Sequence, residues 1–369
     1  MWKHDAEDSL TAGFDSTIAT AFGNGEKGEL ENLANLFSPR AIAGYRDALL
    51  SGLNPSCDAA IDVAWIDKRP IAYLKEDETG AELGDMMLVI HKRSADGHLR
   101  ESRACLLEVK QSTEDPIKPV PVTSNESTLN QFAILSEWPP LYGLKTTGRN
   151  SAYLLKDIKT KPTKTSTGAI PEAWYVAVKP KPQAGVPASD PWMAAPAVGG
   201  ASFEHTLGNL FQAFVQAKPL HHPTILDVDV GREYVTKHSG NAPHTWDELV
   251  TNIIWVAKKY NLPKSLFKKR GTRYRSGTFR SSSYMALVGM NGFAWKPLIA
   301  GVTVGFVVAW LIAQAFFKRK LRRTILMHLF TDGFEYVRQE LQRKREIFPV
   351  LIFQVYDGED RDGPSKRQG

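Results

Sequence analysis

Two short apolar runs with acidic residues at their ends are the most informative pattern along this chain. Residues 84–90 and 104–110 are predicted as buried strands, and the polar, glycine-containing stretch between them is predicted as a loop. Asp85 opens the first strand, and Glu108 and Lys110 close the second. In an antiparallel hairpin these ends are neighbours, and residues two apart on a strand point to the same face. The pattern therefore predicts two carboxylates and an ammonium at one end of a small sheet.

Helical and strand-like spacings continue on both sides of this hairpin. One or two helices are predicted within 29–53, with Ser38 as the N-cap of a helix that Pro39 opens. Thr245 and Glu248 form a capping box at the start of another helix. Further helices are predicted at 129–138 and 203–217, and further strands at 152–155, 173–178 and 348–356. Residues 1–28 are polar and Gly-rich with weak periodicity, so they are expected to form a flexible leader.

This succession of elements predicts an α/β fold in which a mixed sheet is flanked by helices. A mainly helical, basic C-terminal region with a long apolar helix is expected after it. The expected divisions are a leader at 1–28, a domain at 29–200 that contains the hairpin, and a helical and basic region at 201–297. An apolar helix at 298–317 and an amphipathic helix with a final strand at 318–369 follow.

The apolar helix comes from residues 298–317, which form a run of twenty residues without a charge. Such a run is long enough to cross a hydrocarbon layer of about 30 Å. A buried helix, or a hairpin-like insertion together with 284–294, explains the run equally well. If the strand at 348–356 joins the sheet of the first domain, a single crossing would leave that strand on the wrong side of the membrane. The expected location is the cytoplasm, with anchoring to the inner membrane through 298–317 as an option.

Charge is distributed unevenly along the chain. Residues 249–331 contain fifteen Lys and Arg but no Asp or Glu, which leaves 31 basic against 40 acidic residues elsewhere. A basic half of this kind is expected to face the phosphates of nucleic acid or of lipid. The two cysteines, Cys57 and Cys105, provide no disulfide framework and indicate a reducing compartment.

The densest basic segment mixes cations with aromatic side chains, which suits phosphate contacts combined with stacking on bases. An anionic membrane is an equally good partner for such a segment. Partner proteins and self-association also stay open. The residues predicted to bind nucleic acid are Lys268, Lys269, Arg270, Arg273 and Arg275.

The predicted cluster at the hairpin has the chemistry that phosphodiester hydrolysis requires. Asp85 and Glu108 can hold Mg²⁺ or Mn²⁺ through oxygen ligands. Lys110 can orient or help to deprotonate the attacking water, or offset phosphate charge. No Gly-rich Walker loop is present, and the histidines have no metal-binding spacing.

The same residues resemble the PD-(D/E)XK nuclease superfamily. The stretches that carry the resemblance are Glu82-Leu83-Gly84-Asp85, Leu106-Leu107-Glu108-Val109-Lys110, Gln131 and Trp138-Pro139, and they are similar to a group of uncharacterised bacterial proteins of that superfamily. The resemblance covers about residues 30–180. It departs from the common pattern at Gly84, where many members have Pro.

This resemblance implies a restriction-endonuclease-like sheet and a metal-dependent nuclease. Asp85 and Glu108 would bind the metal, Lys110 would assist catalysis, and Gln131 would contact the site. A further acid often comes from an upstream helix; Glu29, Glu31 and Glu82 are the candidates, and Glu82 is included among the expected metal ligands. DNA is the expected substrate and defence against foreign DNA an expected role. The alternative is an inactive nuclease fold that serves as a membrane-associated scaffold.

Overall fold

A mixed β-sheet with helices packed against it organises the chain. The computed structural model describes residues 1–22, 28–67, 69–76, 78–94, 97–123, 125–145, 153–159, 168–180, 190–235, 243–258, 276–280, 338 and 347–358. The elements along these residues are α1 (Ala6–Phe22), α2 (Glu29–Asn35), α3 (Pro39–Gly52), β1 (Asp58–Asp67), β2 (Ile71–Tyr73), β3 (Ala81–Glu82), β4 (Met86–Arg93), β5 (Leu99–Gln111), α4 (Glu126–Glu137), β6 (Leu141–Lys145), β7 (Leu155–Ile158), β8 (Ala173–Val178), β9 (Trp192–Pro196), β10 (His205–Thr206), α5 (Leu207–Gln216), β11 (Pro219–His222), β12 (Leu226–Asp229), β13 (Arg232–Glu233), α6 (Trp246–Lys258), β14 (Ser276–Arg280) and β15 (Ile347–Tyr356).

The large sheet has the strand order β10-β9-β8-β5-β4-β15-β1-β14, and β13 pairs with β5. Two pairs are parallel, β4 with β15 and β5 with β8, and the remaining pairs are antiparallel. A smaller sheet has the order β3-β2-β6-β7, and β11 and β12 form a separate two-stranded ribbon. The predicted fold class, an α/β arrangement with a mixed sheet flanked by helices, is confirmed.

The predicted hairpin lies in the middle of this sheet. β4 and β5 pair in antiparallel fashion, and the pairing starts with Met86 opposite Leu107. Residues Met86 to Ile90 and Ala104 to Leu107 are buried on both faces. Continuous apolar runs are what a strand with a neighbour on each side and cover on both faces requires, because neither face meets water.

Residues 1–28 do not form a flexible leader, and that prediction is wrong for most of them. Residues 6–22 form α1, which buries Leu10, Phe14, Ile18 and Phe22 along one face. These side chains recur every four residues, so one stripe of the helix faces the core. Gly13 allows a close approach to α3, since a Cβ there would lie 2.8 Å from that of Ala48. Small and polar residues between the buried positions obscured this stripe.

Local signals at helix starts were reliable. Ser38 is the N-cap of α3, and its hydroxyl accepts a hydrogen bond from the amide of Ala41 at 3.2 Å. The carboxylate of Glu248 accepts a hydrogen bond from the amide of Thr245 at 3.0 Å, just before α6. These contacts involve residues three apart in sequence, so the chain forms them wherever the helix packs.

The predicted boundary near residue 200 does not separate two units of the sheet. β9 lies just before that boundary and pairs with β10, which lies after it and leads directly into α5. β15 comes from the end of the chain and lies between β4 and β1. The division into 29–200, 201–297 and 318–369 is therefore wrong, because one sheet takes strands from all three.

The apolar run at 298–317 lies outside the described residues, and its helix and membrane span stay predictions. Within the described ranges, every helix is too short or too polar to span a bilayer.

β14 and β15 constrain how a crossing could occur. Both strands pair with β1, one on each side. Arg280 and Ile347 therefore belong to the same sheet. A membrane crossing in the intervening segment would need a second crossing before Ile347, as in a hairpin-like insertion.

Candidate functional site

The start of β4 lies beside the end of β5, and Asp85 joins the two strands. The amide of Asp85 donates to the carbonyl of Leu107 at 2.9 Å. Its carboxylate oxygen Oδ2 accepts from the amide of Val109 at 2.8 Å. The side chain is 2 % exposed. Asp85 is thus held by the residues on either side of Glu108, as the hairpin prediction required.

Gly84 makes this placement possible. Its φ is +128°, a conformation that L side chains rarely adopt, and a Cβ at this position would lie 3.1 Å from the carbonyl oxygen of Leu107. Proline, whose φ is fixed near −65°, cannot occupy such a position. Glycine at position 84 is therefore a requirement of this backbone.

Gly84→Ala should destabilise the protein by about 1–3 kcal/mol, because alanine is strained at this φ and its Cβ presses on Leu107. Urea unfolding followed by circular dichroism measures the change. Gly97→Ala is a control, since Gly97 also has a positive φ, +84°, but its added Cβ would contact nothing within 4 Å. Equal losses in the two variants would show that the close contact with Leu107 adds nothing.

Glu108 and Lys110 lie on β5 and form an ion pair in the structure. Glu108 is 1 % exposed, and its other carboxylate oxygen accepts a hydrogen bond from Gln131 Nε2 at 2.6 Å. Gln131 reaches the site from α4, whose N-cap is Asn125. The structure thus brings together Asp85, Glu108, Lys110 and Gln131, which the sequence proposed as one cluster.

The structure also distinguishes among the upstream acids. Glu29, in the first turn of α2, lies near enough to Asp85 and Lys110 for their charges to affect its pKa. Glu31 instead turns back toward Gly28 at the start of the same helix. Glu82 forms an ion pair with Arg69. Glu29 is therefore the helix acid that faces the cluster.

Two residues of the site were missed from the sequence. Arg69 precedes Pro70 in the turn between β1 and β2, and its guanidinium contacts Asp85 Oδ1 at 3.2 Å and Glu82. Tyr175 on β8 lies opposite Glu108 on β5 in the register of these two parallel strands. Its buried hydroxyl has no hydrogen-bond partner among the described residues. A charged residue interrupting an apolar run was the only signal for Arg69. Tyr175 had no signal, because it belongs to an apolar strand distant in sequence.

The electrostatics of the cluster show an excess of negative charge. Burial, followed by repulsion from Asp85, raises the pKa of Glu108 well above its usual range and raises that of Glu29 to about 7. Burial also raises the pKa of Glu82, although Arg69 opposes the shift. Four carboxyl groups thus face two cations, Arg69 and Lys110, which leaves two uncompensated negative charges if all ionise.

The pKa of Lys110 is raised as well, but for a different reason. Burial alone would lower its pKa, but the carboxylates of Glu108, Asp85 and Glu29 outweigh burial and raise it. The ammonium is therefore held in its charged form at neutral pH. A side chain in this state donates hydrogen bonds and offers positive charge, and it does not accept a proton.

The carboxylate oxygens of this cluster are of the chemical type that binds a divalent cation. In the part of the chain that the structure describes, no three His, Cys, Asp or Glu side chains are arranged to hold a metal ion. The carboxylates of Asp85 and Glu108 instead point to Arg69, Lys110, Gln131 and an amide. However, carboxylate oxygens are the ligands that Mg²⁺ and Mn²⁺ prefer, and a cation here would favour the ionised form of each carboxyl group. The residues fit the ion, and their ion pairs must open to receive it.

The basic residues predicted to bind nucleic acid, Lys268, Lys269, Arg270, Arg273 and Arg275, lie outside the described residues. The elements on either side of them are described. α6 ends at Lys258 and packs against β1, and β14 begins at Ser276 and pairs with β1. Both of these elements therefore contact β1, which β15 separates from β4.

Comparison with known proteins identifies no relative. No family model matches the chain, and neither a curated protein nor a solved structure is significantly similar to it. The function must therefore be inferred from the geometry and charge of the site.

Proposed function

We propose that this chain is a metal-dependent nuclease with a restriction-endonuclease-like core of the PD-(D/E)XK type. The observation that carries the proposal is the meeting of Asp85, Glu108 and Lys110 at one end of a buried hairpin, with Glu29 and Gln131 added from two helices. Buried carboxylates with too few cations are costly to a fold, and such clusters are concentrated at functional sites.

Asp85 and Glu108 would hold Mg²⁺ or Mn²⁺, and Glu29 would supply a third carboxylate. When bound, the ion neutralises phosphate charge and makes its water more acidic. Gln131 fixes the orientation of Glu108 through its hydrogen bond. For Glu82, expected as a metal ligand, we propose a different role: since its carboxylate pairs with Arg69, we assign it to holding that arginine.

Lys110 would act through its charge. In the metal-free cluster its neighbours raise its pKa, and as an ammonium it can donate to a phosphate oxygen or orient the attacking water. A metal ion on Asp85 and Glu108 would weaken that shift, so help in deprotonating the water stays a second role for this lysine.

DNA is the substrate that we propose, with the basic segment at 268–275 contacting its backbone. The elements on either side of that segment, α6 and β14, both contact β1 of the sheet that carries the cluster. Neutralised phosphates would make binding strongly dependent on salt. A place in defence against foreign DNA, and action at a membrane surface, remain part of the proposal.

Incubation of the purified full-length chain with supercoiled plasmid tests the function. Cleavage should require Mg²⁺ or Mn²⁺, stop with a chelator, and weaken steeply as salt rises. Single-stranded DNA and RNA of equal length, assayed in parallel, identify the preferred substrate. If no nucleic acid is cut with either ion, the catalytic proposal fails and an inactive nuclease fold is the better description.

A further inference from the structure

Arg69 occupies a position where a bound cation and a substrate phosphate would both come close. It lies in the turn between β1 and β2, and its side chain is only 14 % exposed. The guanidinium pairs with Glu82 and, at 3.2 Å, with Asp85 Oδ1. Glu29 also acts on its charge. Asp85 therefore uses both carboxylate oxygens: Oδ2 accepts from the amide of Val109, and Oδ1 pairs with Arg69.

This arginine also has a donor that is not in use. Its Nε is buried and has no hydrogen-bond acceptor within the described part of the chain. A buried N–H without an acceptor costs stability and is uncommon in folded proteins. The guanidinium therefore has room in its hydrogen bonding for one more anionic oxygen.

We propose that Arg69 neutralises Asp85 in the metal-free protein, gives up Asp85 to the divalent cation, and then donates to a phosphate oxygen of the nucleic acid. Glu82 holds the guanidinium throughout, so the side chain changes one partner while keeping the other. This inference rests on the proposed nuclease function.

The physical basis is competition between two cations for one carboxylate. An arginine on Asp85 and a metal ion on the same oxygen repel each other, so each weakens the binding of the other. After the exchange, the planar fork of the guanidinium matches a phosphate better than an ammonium does. Before the metal arrives, the ion pair with Arg69 compensates the buried charge of Asp85.

Arg69→Gln separates this role from a structural one because it predicts opposite changes in two measurements. Calorimetric titration with Mn²⁺, without DNA, should show binding about tenfold tighter than in the wild type, since the competitor is gone. Cleavage at saturating Mn²⁺ should show kcat/KM for plasmid DNA lowered about tenfold, mainly through KM. A purely structural arginine would weaken both metal binding and cleavage.

Arg103→Gln is the matched control. Arg103 is similarly buried, pairs with Glu233 at 3.5 Å, and also has a buried Nε without an acceptor among the described residues. It lies five residues before Glu108 on β5, about 17 Å away, and on the other face of the strand. This variant should bind Mn²⁺ and cleave DNA as the wild type does.

If Arg69→Gln does not fold, Arg69→Lys takes its place. It should keep Mn²⁺ affinity within about threefold of the wild type while raising KM for DNA, because a lysine retains the charge but not the fork. Unchanged or weaker Mn²⁺ binding in Arg69→Gln, or an unchanged KM in Arg69→Lys, overturns the inference. Wild-type protein that neither binds Mn²⁺ nor cuts DNA overturns the nuclease function with it.

Discussion

Lys110→Met should lower plasmid cleavage by at least about 10²–10³-fold, the usual loss when one preorganised charge donor is removed from a reacting phosphate or oxyanion. Glu108→Gln should lower it as much, since that variant weakens the metal site. Each single substitution also removes the ion pair that the remaining side chain makes in the wild type. Loss of activity in a single variant could therefore reflect partial unfolding.

The double variant Glu108→Gln with Lys110→Met resolves this ambiguity. Removing both members of the pair leaves neither one without its partner, so the free energy of unfolding should recover toward the wild-type value. Its cleavage activity should stay as low as that of either single variant, because the two groups act as a unit. Urea unfolding and plasmid cleavage, measured on the three variants, provide the comparison.

The Lys92–Glu101 pair is the matched control. It lies at the other end of the same hairpin, with Lys92 Nζ 2.8 Å from Glu101 Oε2, and Lys92 is buried. Lys92→Met with Glu101→Gln removes an acid–lysine pair from the same two strands. That variant should cleave DNA at the wild-type rate. Full activity in the Glu108 and Lys110 double variant would rule out these residues as the catalytic pair.

The hairpin and its chemistry could be predicted because the relevant signals are local in sequence. Asp85 and Glu108 stand at the ends of two consecutive apolar runs, and a hairpin fixes which ends meet. Gln131 was found only through the resemblance, and in the structure its side chain donates a hydrogen bond to Glu108. The caps at Ser38 and Thr245 were equally local.

The parts that the sequence did not predict depend on distant segments. Glu29 and Glu31 lie on one short helix, and only the packing of that helix determines which one faces Asp85. Arg69 lies just before β2, and β2 pairs with β3, which ends at Glu82. This pairing brings Arg69 close to both Glu82 and Asp85. Tyr175 reaches Glu108 through a parallel pairing across more than sixty residues. Periodicity along one segment carries no information about such contacts.

The place of β15 is the largest of these non-local effects. This strand pairs with β1 along 347–356 and with β4 along 350–356. β4 comes directly after Asp85, and β1 ends two residues before Arg69. The C-terminal strand therefore holds together the two elements that position these side chains.

Phe353→Ala should accordingly lower the free energy of unfolding by about 3–5 kcal/mol, a large part of the 5–15 kcal/mol typical of a folded domain. Phe353 is fully buried, and its ring packs against those of Phe14, Phe211 and Phe214 at centroid distances of 6.2, 5.7 and 6.2 Å. These rings come from α1 and α5, so the cavity would lie between β15 and these two helices.

Urea unfolding of the full-length chain measures this loss, and Leu129→Ala is the control. Leu129 lies on α4 and is 46 % exposed, so its truncation should change stability by less than about 1 kcal/mol. Cleavage per folded molecule should be unchanged by Phe353→Ala at low temperature, since the ring does not touch the cluster. A loss below about 1 kcal/mol for Phe353→Ala would mean that β15 does not pack as a central strand. In that case α1, β15 and the domain that carries Asp85 would not share one core.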